Sequence, residues 1–346
     1  TQPGSQGEVR KKPRIEQHST GGFTRLIQPE KFPVWEKRNT FYDGRRHQRT
    51  SCSNTEAALR DMLEQAGQFD KQDALVTMEA TGTYHERAAI YFHQAGYRVS
   101  VVNPLIIKRY GEMKMLRAKT DPVDARLIAE YGYDQKPMWY TPKTRENQGI
   151  IHILKTIEGF QGLKTQNRNR LEALTQNPFC SEHAVASIRN INEALDREIK
   201  QLERQLVEIM REQHKEAYKR LLGIPGIGKR LASAIIGYFG AFERFEKSKQ
   251  VACFVGLNPF PKESGSSIKG RGAMARKGNR YLRKLFFLGA LSASKHNHDC
   301  AKLYDRLLLA GKRKKAALIA VANKLVRQVF AVIKYQREYI PFFQTA

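Results

Sequence analysis

Apolar and polar positions follow two different rhythms along the chain. Short apolar runs at 74–78 and 97–102 predict buried strands, and a segment with helical spacing follows each of them. From about Thr144 onward the spacing is mostly helical. Alternating strands and helices are typical of an α/β layer with some parallel pairing. We therefore expect an α/β first half and a mainly α-helical second half.

The first 51 residues show neither rhythm. They are rich in Arg, Lys, Gln, Gly, Pro and Thr, and their one short apolar patch at 32–35 is interrupted by Pro33. Such a composition predicts a largely unstructured segment. The globular pattern begins near Asn54, where a helix is predicted at 57–66, so the folded part is expected to start there.

A long apolar stripe predicts a helical segment of the coiled-coil type in the middle of the chain. Its members step by three and four residues from Ile188 to Ile209. A helix hairpin that packs on itself and a coiled coil that joins two chains both fit this stripe. The predicted domains are a disordered N-terminus at 1–51, an α/β domain at 52–140, a helical or coiled-coil linker at 141–216 and a C-terminal domain at 217–346.

The charge balance narrows the class of partner. The chain has 60 Lys and Arg residues against 34 Asp and Glu residues, a net charge of +26. An excess of this size predicts a nucleic-acid partner, although a solvated basic surface is the alternative. No CxxC pair suggests zinc, and no apolar run or signal peptide suggests a membrane. We expect a cytoplasmic protein without a membrane partner.

Three acidic residues form the first candidate site. Glu79 ends the first predicted strand, and Asp121 and Asp124 lie three residues apart at a predicted helix start. Sites in open α/β sheets gather beyond the strand ends, and carboxylate oxygens are ligands that Mg²⁺ accepts. Lys119 and Arg126 could hold a phosphate beside such an ion. The alternative is a pair of helix-capping acids with an unrelated glutamate.

A glycine-rich segment between two predicted helices forms the second candidate site. The string Leu222-Gly-Ile-Pro-Gly-Ile-Gly-Lys229 resembles a helix-hairpin-helix. Backbone N–H groups around Gly226, Gly228 and Lys229 would bind a DNA phosphate without reading its sequence. The alternative is a tight turn that needs glycine only for its backbone shape.

A loop rich in serine and glycine at 263–272 forms the third candidate site. A mobile loop of this kind could present a hydroxyl to a phosphate in a positive field. The alternative is an ordinary solvated basic loop. The basic residues expected to contact nucleic acid in and after the loop are Lys269, Arg271, Lys277, Arg280 and Arg283.

Taken together and in order, these strings resemble one family, the Piv/MooV-type transposases and invertases, also called bridge-RNA-guided recombinases. The resemblance runs from about Asp43 to the C-terminal end. It rests on several separate strings, which makes it more specific than any one motif. The strings are Met78-Glu-Ala-Thr-Gly-Thr-Tyr84, Val99-Ser-Val-Val-Asn-Pro104, Ala118-Lys-Thr-Asp-Pro-Val-Asp-Ala-Arg126, Ile224-Pro-Gly-Ile-Gly228, Phe254-Val-Gly-Leu-Asn-Pro259, Glu263-Ser-Gly-Ser-Ser-Ile-Lys-Gly-Arg-Gly272 and Lys277-Gly-Asn-Arg-Tyr-Leu-Arg283.

The resemblance implies an RNase H-like, RuvC-type N-terminal domain in which four acids hold Mg²⁺. Glu79, Asp121 and Asp124 match the second, third and fourth acids. It implies that Ser264 is the DNA nucleophile and that the DNA passes through a phosphoserine intermediate. It also implies a guide RNA, DNA partners at the element ends and the target, and an active site assembled in a homo-oligomer, a dimer or tetramer.

One departure from the family pattern concerns the first acid. The family carries it in an N-terminal Gly-Ile-Asp strand, and this string is absent. Asp43-Gly44 resembles the turn after that strand, and Glu30 falls about where the acid belongs. We therefore expect a Mg²⁺-dependent, RNA-guided transposase of an insertion sequence with impaired activity. The alternatives are a non-catalytic nucleic-acid-binding remnant and a Holliday-junction resolvase-like nuclease.

Overall fold

A computed structural model describes residues 37–42, 47–52, 55–66, 71, 74–80, 84–115, 121–264, 268–274 and 278–341, with the backbone alone at 37–42, 47–52, 65–66, 121–122, 259–264 and 268–274. The chain divides into two compact units, unit 1 (Thr1–Pro142) and unit 2 (Lys143–Ala346). Each unit has its own hydrophobic clusters.

Unit 1 is an α/β unit. Its parallel strands pair with Leu75 opposite Arg98 and Glu79 opposite Val102, so the predicted parallel pairing is confirmed. Gly96, at a φ of +89°, allows the turn that leads into the second of these strands. The elements of unit 1 are β1 (Lys37–Tyr42), β2 (His47–Cys52), α1 (Glu56–Ala66), β3 (Leu75–Glu79), α2 (Tyr84–Gln94), β4 (Arg98–Val102), α3 (Pro104–Met113) and α4 (Asp121–Gln135).

The hairpin of β1 and β2 corrects the predicted start of the folded region. The sequence analysis placed that start near Asn54, yet β1 and β2 pair antiparallel before it and β1 packs beside α4. Backbone pairing needs no apolar alternation, and the β1 sequence KRNTFY offers none. Tyr42 lies opposite His47, and the turn predicted at Asp43 and Gly44 falls outside the described residues.

Unit 1 packs around two small apolar clusters. The first joins α1, α2 and β4 through Leu59, Phe92 and Val99, and the second joins α3 and α4 through Ile107 and Leu127. Pro104 opens α3 after Asn103, whose side-chain oxygen accepts a hydrogen bond from the N–H of Leu105. The helices are thus fixed at the ends of the parallel strands.

Unit 2 is mainly helical, as predicted, and has one continuous core. Its centre lies where α8, α10 and α12 meet, with Ile235, Phe286 and Leu325 fully buried. The elements of unit 2 are α5 (Arg145–Thr175), α6 (Glu182–Gln213), α7 (Lys215–Leu222), α8 (Lys229–Phe239), α9 (Ser248–Val255), β5 (Pro259–Ser264), β6 (Ile268–Met274), α10 (Arg280–His296), α11 (His298–Leu309) and α12 (Lys314–Lys334).

The last helix is more apolar than the sequence analysis recognised. By length and composition α12 could cross a membrane, with a mean hydropathy of 1.7 over its most apolar window. In this structure 56% of that window is buried inside the protein, against α9, α10 and α11. A core helix passes the same test, so the feature is weak evidence for a membrane span.

Helices α5 and α6 form an antiparallel pair within one chain. The side-chain amide of Asn167 donates to Asn192 at 3.1 Å, and Lys164 forms an ion pair with Asp196. On the apolar seam predicted from Ile188 to Ile209, Leu206 is buried, whereas Ile191 is 54% exposed. The seam therefore serves this internal pair, and a coiled coil between two chains stays a prediction.

Candidate carboxylate site and nucleic-acid interface

Glu79 lies where the sequence predicts it, at the carboxyl end of a strand. It is the last residue of β3 and is partly buried. Just beyond it, the N–H of Ala80 donates to the carbonyl oxygen of Val102 at 2.9 Å, which keeps the ends of β3 and β4 together. Glu79 is thus held at a defined edge of the parallel pair.

The helix that carries the two aspartates packs against β3. Asp121 is the first residue of α4, and Asp124 lies one turn further and is partly buried. A Cβ at Gly132 would collide with the side chain of Thr77, so glycine allows α4 to approach the strand closely. The strand that ends in Glu79 and the helix that begins at Asp121 are therefore neighbours.

The donor chemistry of these residues suits a hard divalent cation, because carboxylate oxygens are its usual ligands. Among the side chains that the structure describes, no three His, Cys, Asp or Glu residues lie close enough to hold a metal ion. The side chain of Asp121 and the whole of Lys119 and Glu30 fall outside that part of the chain. Two predicted ligands, Glu79 and Asp124, thus lie on neighbouring elements, and their joint coordination stays a prediction.

Arg126 has a partner that the sequence analysis did not name. Its Nε donates to Glu130 Oε1 at 2.7 Å, one helical turn away, and its contact with a phosphate stays a prediction. Lys114 Nζ approaches the other carboxylate oxygen of Glu130 at 2.9 Å. The four-residue spacing of Arg126 and Glu130 is a signal for such a pair, and it could have found this contact.

Glu130 is the centre of an ionic cluster beside the predicted metal site. Burial raises its pKa, but the hydrogen bonds from Arg126 and Lys114 outweigh burial and leave the pKa below its usual value. The Tyr110 hydroxyl donates to Asp134, and that hydrogen bond lowers the pKa of the Asp134 carboxyl. The cluster ties α3 to α4 and so steadies the helix that carries Asp124.

In unit 2, the two glycines of the predicted helix-hairpin-helix have different surroundings. Gly226 has a φ of +104°, and a Cβ there would lie 2.6 Å from the Ala293 Cβ. Gly228 has a φ of −86°, and no atom of the residues that the structure describes lies within 4 Å of such a Cβ. Gly226 therefore fits the tight-turn alternative, whereas Gly228 and the exposed Lys229 leave the helix start open to a ligand.

A buried asparagine fastens this turn to the core. Asn297 is completely buried, and its side-chain N–H donates to the carbonyl oxygen of Pro225 at 3.2 Å. Its side-chain oxygen accepts from the N–H of Cys300 and so caps α11. Asn297 thus lies at the junction where α10 ends at His296 and α11 begins at His298.

The serine-rich segment is a hairpin where a loop is expected. Ser264 ends β5 opposite Ile268, the first residue of β6, and Glu263 lies opposite Lys269. Backbone pairing thus extends through residues whose composition resembles a loop. Arg271 also lies in β6, while 265–267 and Lys277 fall outside the described residues.

The base of this hairpin is fixed by a close contact of two glycines. Gly256 and Gly278 both have positive φ, and a Cβ at 278 would lie 2.7 Å from the Gly256 Cα. Arg283 donates to the carbonyl oxygen of Gly256 at 3.4 Å, so it has a structural contact besides its predicted role. Arg280 is the first residue of α10 and is exposed.

Comparison with known proteins identifies relatives over most of the chain. The chain is 30% identical over 278 residues to a pilin gene-inverting protein of Moraxella lacunata, which covers 80% of this chain and 84% of the relative. The corresponding protein of Moraxella bovis is 31% identical over 279 residues, with the same coverage of both chains. A family model described as "Transposase IS116/IS110/IS902 family" matches residues 218–305, and an IS110-type DEDD transposase model matches residues 40–177.

This chain belongs to the IS110/IS116 transposase family. A transposase for the insertion sequence element IS1111A of Coxiella burnetii is also similar, at 24% identity over 294 residues, with 76% of this chain and 79% of the relative covered. Membership implies an RNase H-like fold for the DEDD domain and a general dependence of the family on divalent metal. The transposases of this family act on DNA.

The two family matches together cover all three candidate sites. The DEDD match begins in β1 and includes Glu79, Asp121 and Asp124, so the family domain reaches into the hairpin that the sequence analysis left out. The second match includes the turn at Gly226 and the strand that ends in Ser264. The acidic residues and the serine thus belong to separate family domains of one chain.

Proposed function

We propose that this chain is a DNA transposase that cleaves and joins strands with the help of Mg²⁺. The observation that carries the proposal is the position of Glu79 at the end of β3, against which the Asp124-bearing helix packs. Carboxylates on neighbouring elements could hold the ion that neutralises a scissile phosphate. Asp121 would complete the set that this part of the chain supplies.

Ser264 is the proposed nucleophile. Its oxygen would bond to the phosphorus of the scissile phosphodiester while the bond from phosphorus to one ester oxygen breaks. The serine proton would pass through solvent to that leaving oxygen, which departs as a hydroxyl. The fixed base of the β5–β6 hairpin supports this role, because Gly256 and Gly278 anchor the strand that ends in Ser264. Lys269, Arg271, Lys277, Arg280 and Arg283 would supply positive charge around the transferred phosphate.

The proposed partners are the element ends, the target DNA, a guide RNA and further copies of this chain. A net charge of +26 and the exposed residues Lys229 and Arg280 support binding to nucleic acid. The exposed Ile191 on α6 supports an interface between copies. The proposed location is the bacterial cytoplasm, where both nucleic acids are accessible.

We also propose that the chain with this N-terminal sequence has impaired activity. The six residues of β1, KRNTFY, include no carboxylate, so the first acid of the family is not supplied there. A phosphate clamped by metal ions needs several anionic ligands at fixed positions. The alternative function, a nucleic-acid-binding remnant, follows if the remaining acids hold no metal.

A covalent adduct between protein and DNA tests the proposed nucleophile. In a version with a restored first acid, the protein that keeps Ser264 should stay bound to end-labelled DNA in a denaturing gel. The Ser264→Ala variant should carry none, and the matched control Ser267→Ala should retain some adduct. An adduct that survives Ser264→Ala would refute the assignment. Cleavage of a four-way junction without any adduct would indicate the resolvase alternative.

A further inference from the structure

A basic groove lies between α6 and the start of α8, away from the serine hairpin in the sequence. Its volume is about 670 Å³, and only two of its lining residues, Leu206 and Val207, are apolar. Two carboxylates, Glu203 and Glu208, oppose its larger set of cations. The cations are Lys200, Arg204, Arg211, Lys229 and Arg230.

Three of these cations form a stripe along α6. Lys200, Arg204 and Arg211 are separated by four and seven residues, which places them on one face of the helix. All three are exposed. At the helical rise per residue, the stripe is about 16 Å long. A single small anion could not contact all three.

The start of α8 adds backbone donors to the same groove. Gly228 is the N-cap of α8, and no side chain caps this helix end. Among the described residues, no atom lies within 4 Å of a Cβ placed there, so the first turn is accessible from this part of the protein. The next residue, Lys229, is exposed and lines the groove. Backbone N–H groups and a positive helix end favour a phosphate at this position.

The walls of the groove are tied together. Arg230 on α8 forms an ion pair with Glu203 on α6, and Leu206 beneath them is 3% exposed. The Ser233 hydroxyl donates to the carbonyl oxygen of Lys229 at 2.9 Å and stabilises the first turn of α8. Arg230 therefore holds α6 and α8 together. The positive charge offered to a ligand comes from the α6 stripe and Lys229.

We infer that this groove binds the phosphodiester backbone of a nucleic-acid strand, with Lys200, Arg204 and Arg211 on separate phosphates along it and the α8 start on a further one. The inference rests on the proposed function and adds the α6 residues to the interface. Phosphates recur about every 3.4 Å of axis along one strand, so a stripe of this length faces several of them. The contacts would position the strand without reading its sequence.

Salt-dependent binding tests the groove. The full chain is titrated with two fluorescent probes, a random-sequence DNA duplex and a structured RNA, by anisotropy at several salt concentrations. The Arg204→Gln/Arg211→Gln variant should lower the salt slope by about two units, since each lost phosphate contact removes about 0.9. The matched control is Arg168→Gln/Arg170→Gln on α5, which removes equal charge from exposed positions outside the groove.

A variant that removes a negative charge from the groove should have the opposite effect on binding. Glu208→Gln removes a groove carboxylate, so it should tighten binding to the probe whose slope the arginine variant lowers. Acetylation of the wild-type chain gives a second readout that needs no variant. Bound nucleic acid should protect Lys200, while the exposed Lys302 on α11, outside the groove, should stay reactive.

The outcomes separate this inference from the proposed function. A reduced slope with one probe supports the groove and identifies that nucleic acid as its ligand. An unchanged slope with both probes and an unprotected Lys200 would overturn the groove while wild-type binding left the proposed function standing. Failure of the wild-type chain to bind either probe would overturn both.

Discussion

The two units hold their functional residues by different physical means. In unit 1, Glu79 and Asp124 lie beside two small apolar clusters and an ionic cluster centred on Glu130. In unit 2, the glycine turn and the serine hairpin are fastened to one continuous core through close backbone contacts at Gly226 and Gly278. Steric fit therefore places the residues of unit 2, whereas in unit 1 ion pairs act together with apolar packing and the close approach at Gly132. The two units should respond to different perturbations.

The largest effect on stability is expected at Gly226 in unit 2, where the surrounding atoms leave no space for a side chain. Gly226→Ala combines a positive φ with a Cβ 2.6 Å from Ala293, so it should lower the free energy of unfolding by about 3 kcal/mol. Urea unfolding followed by circular dichroism measures the change. If this variant is as stable as the wild type, close packing does not hold the turn.

Gly228→Ala is the matched control for that substitution. Its φ is −86° and its surroundings are open, so the free energy of unfolding should fall by less than about 1 kcal/mol. Nucleic-acid affinity should nevertheless decrease, because a methyl group at the N-cap obstructs the approach to the backbone N–H groups. A loss of stability equal to that of Gly226→Ala would remove the distinction between the two glycines.

A smaller effect, but one that depends on pH, is expected in unit 1. Glu130→Gln breaks the ion pairs with Lys114 and Arg126, and should cost about 1 kcal/mol because both cations are partly solvated. Glu112→Gln, whose pair with Lys108 is exposed, should cost almost nothing. Trp139 fluorescence, measured in a Trp35→Phe background, follows the unfolding of unit 1.

The sign of the pH dependence follows from the lowered pKa of Glu130. Its contribution to stability is present above the usual glutamate value of 4.5 and is lost as the pH falls through the lower folded value. The stability difference between wild type and Glu130→Gln should therefore shrink below about pH 4.5. A difference that grew as the pH fell would contradict the assigned hydrogen bonds.

The smallest expected change in stability concerns the apolar residues of α6. Ile191 is 54% exposed, so Ile191→Asp should change the free energy of unfolding by less than about 1 kcal/mol while reducing the oligomeric mass. Leu202→Asp, which is partly buried on the same helix, should lower both stability and mass. Light scattering measures the mass. Unchanged mass in both variants would leave α6 with its internal role alone.

Strong apolar runs made parts of the fold predictable from the sequence. The runs that became β3 and β4 are mostly apolar, as is typical of strands in a parallel sheet. Because a helix lies between them in the sequence, a parallel pair could be predicted. Glu79 could be placed because it directly follows such a run. The predicted helical character of the second half is likewise confirmed, since three-and-four spacing persists across α5 and α6.

Polar strands and tertiary contacts could not be predicted in the same way. The hairpins at β1–β2 and β5–β6 consist largely of polar or small residues, so their backbone pairing leaves no apolar period. Gly226 and Gly228 look alike in the sequence. They differ in φ and in contacts with distant residues such as Ala293, and a local sequence pattern shows neither. The pair of Arg126 with Glu130 follows from their four-residue spacing, whereas a phosphate contact of Arg126 stays a prediction.

Strand exchange in vitro tests the central claim most directly. The chain as given is incubated with the element's RNA, supercoiled donor and target DNA, and Mg²⁺, and is compared with a version that carries a Gly-Ile-Asp strand grafted ahead of Asp43. We expect little exchange by the first and restored exchange by the second, which Glu79→Gln should abolish again. Robust exchange by the unmodified chain, or exchange that survives Glu79→Gln, would contradict the proposed acidic site.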